Sequence, residues 1–151
     1  MVCLGNICRS PMADGLLRQK VSQQNLDIQV DSAGTANYHV GKAPDHRMIK
    51  TGAINGTPID FLRARQFSKQ DFSLFDYILV MDKSNYNNVC ALAPDDSSKN
   101  KVHLLLDFLT EESIEEVPDP YYGTATDFQY VYDLLDRATN SFLAKIQTNT
   151  K

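Results

Sequence analysis

Short apolar runs alternate along this chain with stretches whose apolar residues recur every three or four positions. Apolar runs of strand length indicate strands covered on both faces of a sheet, whereas the wider spacing indicates helices. The runs predict strands that end at Cys3 and that cover Ile28–Asp31, Phe75–Met81 and Val102–Leu106. The spacing predicts helices over Pro11–Gln24, Pro44–Asn55, Ser84–Ala93 and Phe128–Ile146. Strands that alternate with helices favour a parallel sheet with helices on both faces, whose ligand site lies at the carboxyl ends of the strands.

Composition narrows the class of protein. A chain of 151 residues with 42% hydrophobic residues fits one folded domain. A net charge of −4 argues against general nucleic-acid binding, and the absence of an apolar run of about 18 residues argues against a membrane span. Three cysteines favour reduced thiols, so a cytoplasmic protein is expected, and the acidic stretch 111–116 is expected to be a solvated loop.

The segment from Cys3 to Ser10 joins a predicted strand end to a predicted helix start. Gly5 permits close approach of the backbone to an anion, and Asn6 tolerates left-handed geometry. A helix N-terminus attracts phosphate, and the planar fork of Arg9 can hold two phosphate oxygens. The same positive field favours the thiolate of Cys3, so the segment predicts a phosphate-binding loop with a cysteine nucleophile. Ser10 is expected to cap the helix and can also donate its hydroxyl to the thiolate.

A second motif, VPDPYYG, places Asp119 between two prolines that stiffen the loop. A carboxyl group held there can protonate a leaving phenol and then take a proton from an attacking water. Alone, Asp119 would be interpreted as a turn residue, and Tyr121 and Tyr122 as core residues. Beside a phosphate loop, the two aromatics are better interpreted as walls of a flat substrate slot.

These motifs resemble those of the low-molecular-weight protein tyrosine phosphatase family. The resemblance rests on VCLGNICRSP, DSAGT, ARQ and VPDPYYG in that order, and it covers essentially the whole chain. It implies one α/β domain over residues 1–151, with a four-stranded parallel sheet, helices on both faces and the phosphate-binding loop between the first strand and the first helix. It also implies a tyrosine phosphatase that works through a phosphocysteine intermediate without a metal or organic cofactor. The expected partners are a phosphotyrosyl protein or aryl phosphate as substrate and inorganic phosphate as product, with a monomeric enzyme.

Carried over by position, the resemblance makes Cys3 the nucleophile, Arg9 the phosphate-binding arginine and Asp119 the general acid. It makes Asn6 a residue that holds the loop in shape. Further members of the predicted site are the remaining loop residues and one supporting serine: Leu4, Gly5, Ile7, Cys8, Ser10 and Ser32.

The resemblance extends to the rim of the site. Tyr38 aligns with an aromatic of the family's substrate gate, where with Tyr121 it would flank the phosphotyrosine ring. Leu4 falls at a position that influences substrate preference. Cys8 matches a loop cysteine that can form a protective disulfide with the nucleophile. Asp82, which follows a predicted strand, is expected to pair with Arg65 and brace neighbouring loops.

One feature departs from the family pattern. Relatives usually have several apolar residues before the nucleophile, whereas Met1 and Val2 precede Cys3 here. A short first strand predicts lower thermal stability than that of a version with those residues restored.

Other readings of the sequence remain open. A thiol-dependent arsenate reductase of the same fold would use the same loop, although reduction needs further cysteines and Cys90 is the only one outside the loop. A non-catalytic phosphotyrosine- or anion-binding module would not need both Cys3 and Asp119. The three histidines lack the spacing of metal ligands, so no metal site is expected.

Overall fold

The computed structural model describes residues 1–110 and 113–149, so two residues of the acidic stretch, Glu111 and Glu112, lie outside the described part. Its centre is a four-stranded sheet in which every pairing is parallel and the strand order is β2-β1-β3-β4. The strands are β1 (Val2–Cys3), β2 (Ala33–Gly34), β3 (Ile78–Val80) and β4 (Val102–Leu104). The predicted four-stranded parallel α/β fold is therefore confirmed.

Helices connect the strands. They are α1 (Arg9–Gln23), α2 (His46–Ile54), α3 (Asp71–Leu74), α4 (Lys83–Cys90), α5 (Asp96–Lys99) and α6 (Ala125–Asn149), with a 3-10 turn at Leu105–Phe108. The longest helix, α6, packs against α1 and α2. Among the described residues, no helix has the length and apolar character that crossing a membrane requires.

Alternation along the strands creates a core on each face of the sheet. Cys3, Leu79 and Met81 point to one face, where they join a cluster with buried side chains of α1, α2 and α6. The residues at the alternate positions of these strands, such as Val2 and Val80, point to the other face and pack with side chains of α3 and α4. Because full burial of such a side chain stabilises a fold by roughly 1.5–3 kcal/mol, these two clusters hold the strand ends in place.

The predicted second strand is placed wrongly. The segment Ile28–Asp31 is not in the sheet, and the ladder is formed instead by Ala33 and Gly34, which pair with Val2 and Cys3. The pairing begins where β1 begins, with the amide of Ala33 donating to the carbonyl of Met1 at 2.9 Å. Ile28 and its apolar neighbours instead pack as half-buried side chains against the α1–α6 core. Their apolar pattern records this packing rather than strand pairing.

Candidate active site

The loop between β1 and α1 wraps around the sulfur of Cys3 at the carboxyl end of the sheet. The amide of Asn6 donates to Cys3 Sγ at 3.3 Å, and the hydroxyl of Ser10 lies 3.0 Å from the same sulfur. Asn6 has a φ of 56°, the left-handed geometry that the sequence predicted it would tolerate. The loop therefore curls so that backbone and hydroxyl groups converge on one buried thiol.

The side chain of Asn6 stabilises the curved loop through hydrogen bonds. Its amide nitrogen donates to Ser10 Oγ at 2.7 Å and to Ser32 Oγ at 3.0 Å, and its oxygen accepts from the amide of Arg65 at 3.1 Å. Strand β2 lies so close that a Cβ on Gly34 would come within 2.7 Å of the carbonyl oxygen of Leu4. Ser32 thus lies against the loop between β1 and α1, and its supporting role stays a prediction.

Ser10 does not cap α1 as the sequence predicted. The helix already begins at Arg9, Cys8 occupies the capping position, and no side chain caps the helix there. The hydroxyl of Ser10 is turned inward to Cys3 and Asn6. The loop and the first helical turn form one structure, so the helix starts at Arg9, two residues earlier than a cap at Ser10 would allow.

The side chain of Arg9 is held in place by Asp82. Its Nη1 donates to Asp82 Oδ2 at 2.7 Å and to the carbonyl of Val117 at 3.0 Å. The predicted pair between Asp82 and Arg65 is wrong, because Arg65 binds Asp31 and Asp71. These ion pairs depend on how the strand ends meet in space, which spacing in the sequence does not encode.

The charge of Arg9 is secured although the side chain is buried. Burial disfavours the charge, but Cys3, Asp82 and Asp119 more than offset it and together raise the pKa of Arg9 above its ordinary value. A fixed cation therefore lies beside the Cys3 sulfur, where a bound phosphate would need it.

Asp119 reaches the same place from the VPDPYYG loop. Its Oδ2 lies 3.8 Å from Arg9 Nη2, and its side chain remains 45% exposed. The loop is tied to the sheet because the amide of Val117 donates to the carbonyl of Met81 at 2.8 Å. Asp119 Oδ1 also accepts from the amide of Tyr121 at 3.1 Å. The carboxyl group is thus near the cleft and in contact with solvent.

A cleft of about 350 Å³ opens above the sulfur. Its lining brings together all three predicted catalytic residues, the three predicted gate tyrosines and five further residues. The full lining is Cys3, Leu4, Gly5, Ile7, Cys8, Arg9, Tyr38, His39, Asp119, Tyr121 and Tyr122. A cleft of similar size, about 340 Å³, lies beside Met1, but its described lining residues include neither cysteine nor arginine. Chemistry rather than size distinguishes the first cleft.

The positions of two residues in this region were not predicted from the sequence. His39 was considered only as a metal ligand, yet it lines the cleft, and its ring lies 3.1 Å from the position of a Cβ on Gly5. Its position next to the gate residue Tyr38 was the available signal. Arg47 was not singled out, although its guanidinium lies 5.3 Å from the ring centroid of Tyr121.

The second loop cysteine differs from the first in its surroundings. Cys8 is buried, and burial, followed by the nearby Asp45 and Cys3, raises the pKa of its thiol well above the ordinary value. Both loop cysteines are free thiols.

In the part of the chain that the structure describes, no group of three or more His, Cys, Asp or Glu side chains is arranged to hold a metal ion.

Comparison with known proteins places the chain in a family. A sequence model described as low molecular weight phosphotyrosine protein phosphatase matches residues 1–151. The human low molecular weight phosphotyrosine protein phosphatase is 40% identical over 147 residues, which cover 95% of this chain and 92% of the human protein.

Solved structures agree with the sequence match. A protein tyrosine phosphatase from Entamoeba histolytica, crystallised with Hepes in the active site, superposes with a TM-score of 0.93 at 38% identity, covering 99% of this chain and 96% of that one. Vibrio vulnificus Wzb in complex with benzylphosphonate superposes with a TM-score of 0.84 at 28% identity, covering 95% and 94%. The chain belongs to the low molecular weight phosphotyrosine protein phosphatase family.

Proposed function

We propose that this protein hydrolyses phosphotyrosine in proteins, and small aryl phosphates, through a phosphocysteine intermediate on Cys3. In the first step the Cys3 thiolate attacks phosphorus, the S–P bond forms and the bond from phosphorus to the aryl oxygen breaks. Asp119 gives its proton to the departing oxygen, while Arg9 and the loop amides hold the phosphoryl oxygens.

In the second step water attacks the phosphorus of the phosphocysteine. Asp119, now a carboxylate, accepts a proton from that water, the S–P bond breaks and inorganic phosphate leaves. Cys3 returns to the thiolate. The hydroxyl of Ser10, 3.0 Å from the sulfur, and the amide of Asn6 stabilise negative charge on the sulfur before and after the cycle.

The observation that carries the proposal is the convergence of Cys3 and Arg9, which belong to one loop, with Asp119, which lies far along the chain. Cys3 receives two polar contacts from its own loop, Arg9 is fixed by Asp82, and Asp119 lies 3.8 Å from Arg9. A nucleophile, an anion-binding cation and a proton donor are the groups that cleavage of an aryl phosphate through a phosphocysteine would use.

The rim supports an aryl substrate. Tyr38, Tyr121 and Tyr122 line the mouth of the cleft, and flat rings favour stacked or edge contacts with another ring. The benzylphosphonate in the Vibrio vulnificus structure is an aryl group joined to a phosphonate, which is consistent with this assignment. The expectation of a cytoplasmic monomer rests on the sequence alone and is part of this proposal.

The two alternatives have less support. A reductase would need a further cysteine beyond the loop to pass a disulfide along, and Cys90, the only other cysteine of the sequence, ends α4 and does not belong to the lining of the cleft. A module that only binds phosphotyrosine would not need the thiol and the carboxyl group in one cleft.

Steady-state hydrolysis of p-nitrophenyl phosphate across pH, without added metal, tests the proposal. We expect activity in the wild type, loss of activity in Cys3→Ser and a fall of about 100-fold or more in Asp119→Ala. Persistent activity in Cys3→Ser would contradict the phosphocysteine mechanism. Inactive wild type that binds phosphate would favour the binding module, and inactive wild type that reduces arsenate with added thiol would favour the reductase.

A further inference from the structure

We propose that Arg47 is a positioning residue that couples the phosphate-binding loop to the loop carrying Asp119. The proposal rests on the proposed function, because it assigns Asp119 the role of proton donor. Arg47 does not line the cleft, so it would act through Tyr121 rather than on the substrate.

One end of the connection begins at the phosphate-binding loop. The amide of Asp45 donates to the carbonyl of Ile7 at 2.8 Å, which fixes the start of α2 against that loop. The Asp45 carboxylate accepts from the Arg47 amide at 2.8 Å and from Arg47 Nε and Nη2 at 3.0 and 2.8 Å. A two-pronged contact of this kind fixes the plane of the guanidinium as well as its position.

At the other end of this connection, the guanidinium of Arg47 lies between two aromatic rings. The guanidinium carbon is 4.7 Å from the ring centroid of Phe128, which is buried in α6, and 5.3 Å from that of Tyr121. Cations within about 6 Å of a ring face are attracted to it. Arg47 therefore links the cleft wall formed by Tyr121 to the buried ring of Phe128.

Tyr121 and Asp119 are joined by a hydrogen bond. The amide of Tyr121 donates to Asp119 Oδ1, and one residue separates the two in a proline-stiffened turn. Among the residues that the structure describes, the half-exposed Asp119 carboxyl group has this polar contact and the one with Arg9 at 3.8 Å. A shift of the Tyr121 backbone would therefore shift the proton donor relative to the Cys3 sulfur.

Loss of this support should affect substrates unequally. A phenolate that leaves with difficulty needs the proton from Asp119, whereas p-nitrophenolate is stable enough to leave with little help. A misplaced acid therefore slows the first step more for phenyl phosphate than for p-nitrophenyl phosphate. A variant that was merely less stable would lose activity on both substrates by one factor.

The experiment measures kcat/KM for both substrates in wild type, Arg47→Met and Arg47→Lys, each alone and together with Asp119→Ala. We expect Arg47→Met to lose about tenfold on phenyl phosphate but no more than about threefold on p-nitrophenyl phosphate. Arg47→Lys, which keeps the charge but not the two-pronged contact, should fall between Arg47→Met and wild type. In the Asp119→Ala background, Arg47→Met should leave the ratio between the two substrates unchanged, because the acid is already gone.

Arg18→Met is the matched control. Arg18 also pairs with an aspartate, Asp14 at 2.9 Å, and its guanidinium lies 5.8 Å from the ring centroid of Phe61, but on α1 outside the cleft lining. It should lower the melting temperature without changing the substrate ratio. Equal losses on both substrates in Arg47→Met and Arg47→Lys, or no loss, would overturn the proposal while leaving the phosphatase assignment intact. Wild type inactive on both substrates would overturn the proposed function itself.

Discussion

The floor and the rim of the cleft are built in opposite ways. On the floor, Cys3, Asn6 and Ser10 are at most 3% exposed and each takes part in side-chain hydrogen bonds. At the rim, Tyr38 is 69% exposed and Tyr122 is 96% exposed, and the polar and ring contacts there are few. The floor is rigid because buried polar groups must be satisfied, whereas the rim can adjust to what binds.

This difference assigns different tasks to the two regions. A fixed floor suits the phosphoryl group, whose charge and geometry are the same in every substrate. An exposed rim contacts the part of the substrate that varies, so it is suited to specificity rather than to chemistry. Substitutions on the floor should therefore change rates greatly, and substitutions at the outer rim should change them little.

The largest effect is expected for Arg9→Lys. Lysine keeps the charge but loses the planar fork that contacts Asp82 and that we propose to bind phosphate oxygens, so kcat/KM for p-nitrophenyl phosphate should fall by at least about 100-fold. Arg63→Lys is the control, because Arg63 is exposed and bonds to carbonyls of its own loop. A loss of less than tenfold in Arg9→Lys would show that the floor tolerates a point charge and is less specific than its contacts indicate.

The second-largest effect is a difference in reactivity between the two cysteines of the floor. Because burial raises the pKa of the Cys8 thiol, Cys8 stays protonated at neutral pH and should react slowly with iodoacetamide. We expect Cys3 to be alkylated at least about 100-fold faster, and inorganic phosphate to protect it. Peptide mass spectrometry on wild type and Cys3→Ser measures both rates. Comparable rates at Cys8 would contradict the proposed nucleophile.

A smaller effect is expected at the outer rim. Tyr122 is almost fully exposed, and substitutions of such side chains usually change free energies by less than about 0.5 kcal/mol, so Tyr122→Ala should change kcat/KM for p-nitrophenyl phosphate by about twofold. Tyr121→Ala should have a larger effect, because that ring also contacts Arg47. A tenfold loss in Tyr122→Ala would mean that the rim closes over the substrate and is not merely adjustable.

The smallest effect concerns the link between floor and rim. The hydrogen bond from Arg47, opposed in part by burial, holds the pKa of Asp45 below its ordinary value. A carboxyl group with a lowered pKa in the folded state contributes stability above its unfolded pKa of about 4, and that contribution is lost as the pH falls through the lower folded value.

Asp45→Asn keeps a capping oxygen but loses the ion pair, so its melting temperature should be about 2 °C lower than that of wild type at pH 7. The difference should persist at pH values above the unfolded pKa of about 4 and shrink as the pH falls through the lower folded value. Thermal unfolding followed by circular dichroism at several pH values measures it. A difference that grows as the pH falls would contradict the assigned sign.

Structure that depends on residues close together in the sequence could be predicted, whereas structure that depends on distant residues could not. The turn from strand to helix around Cys3 follows from Gly5, Asn6 and Arg9, which act within a few positions of one another, and it was predictable. The position of β2 depends on pairing with β1, about 30 residues away, and the apolar pattern at Ile28 indicated the wrong segment.

The supporting contacts were the least predictable part of the site. Asp82 was assigned to Arg65, but it binds Arg9, which is 73 positions away along the chain. For Ser10 the sequence predicts both a helix cap and a contact of the hydroxyl with the thiolate, and the structure shows the contact with the sulfur but no cap. Such contacts arise only when the strand ends meet, so residue type alone cannot choose among partners.

The most direct test of the account is to trap the phosphoryl group on the protein. Asp119→Ala should accept a phosphoryl group from p-nitrophenyl phosphate, whose leaving group needs little protonation, but should lose it slowly because the base for the second step is missing. Acid quenching followed by peptide mass spectrometry should then show the added mass of one phosphoryl group on Cys3, and none in the double variant with Cys3→Ser. Turnover without a phosphoryl group on Cys3, or with one on another residue, would contradict the account.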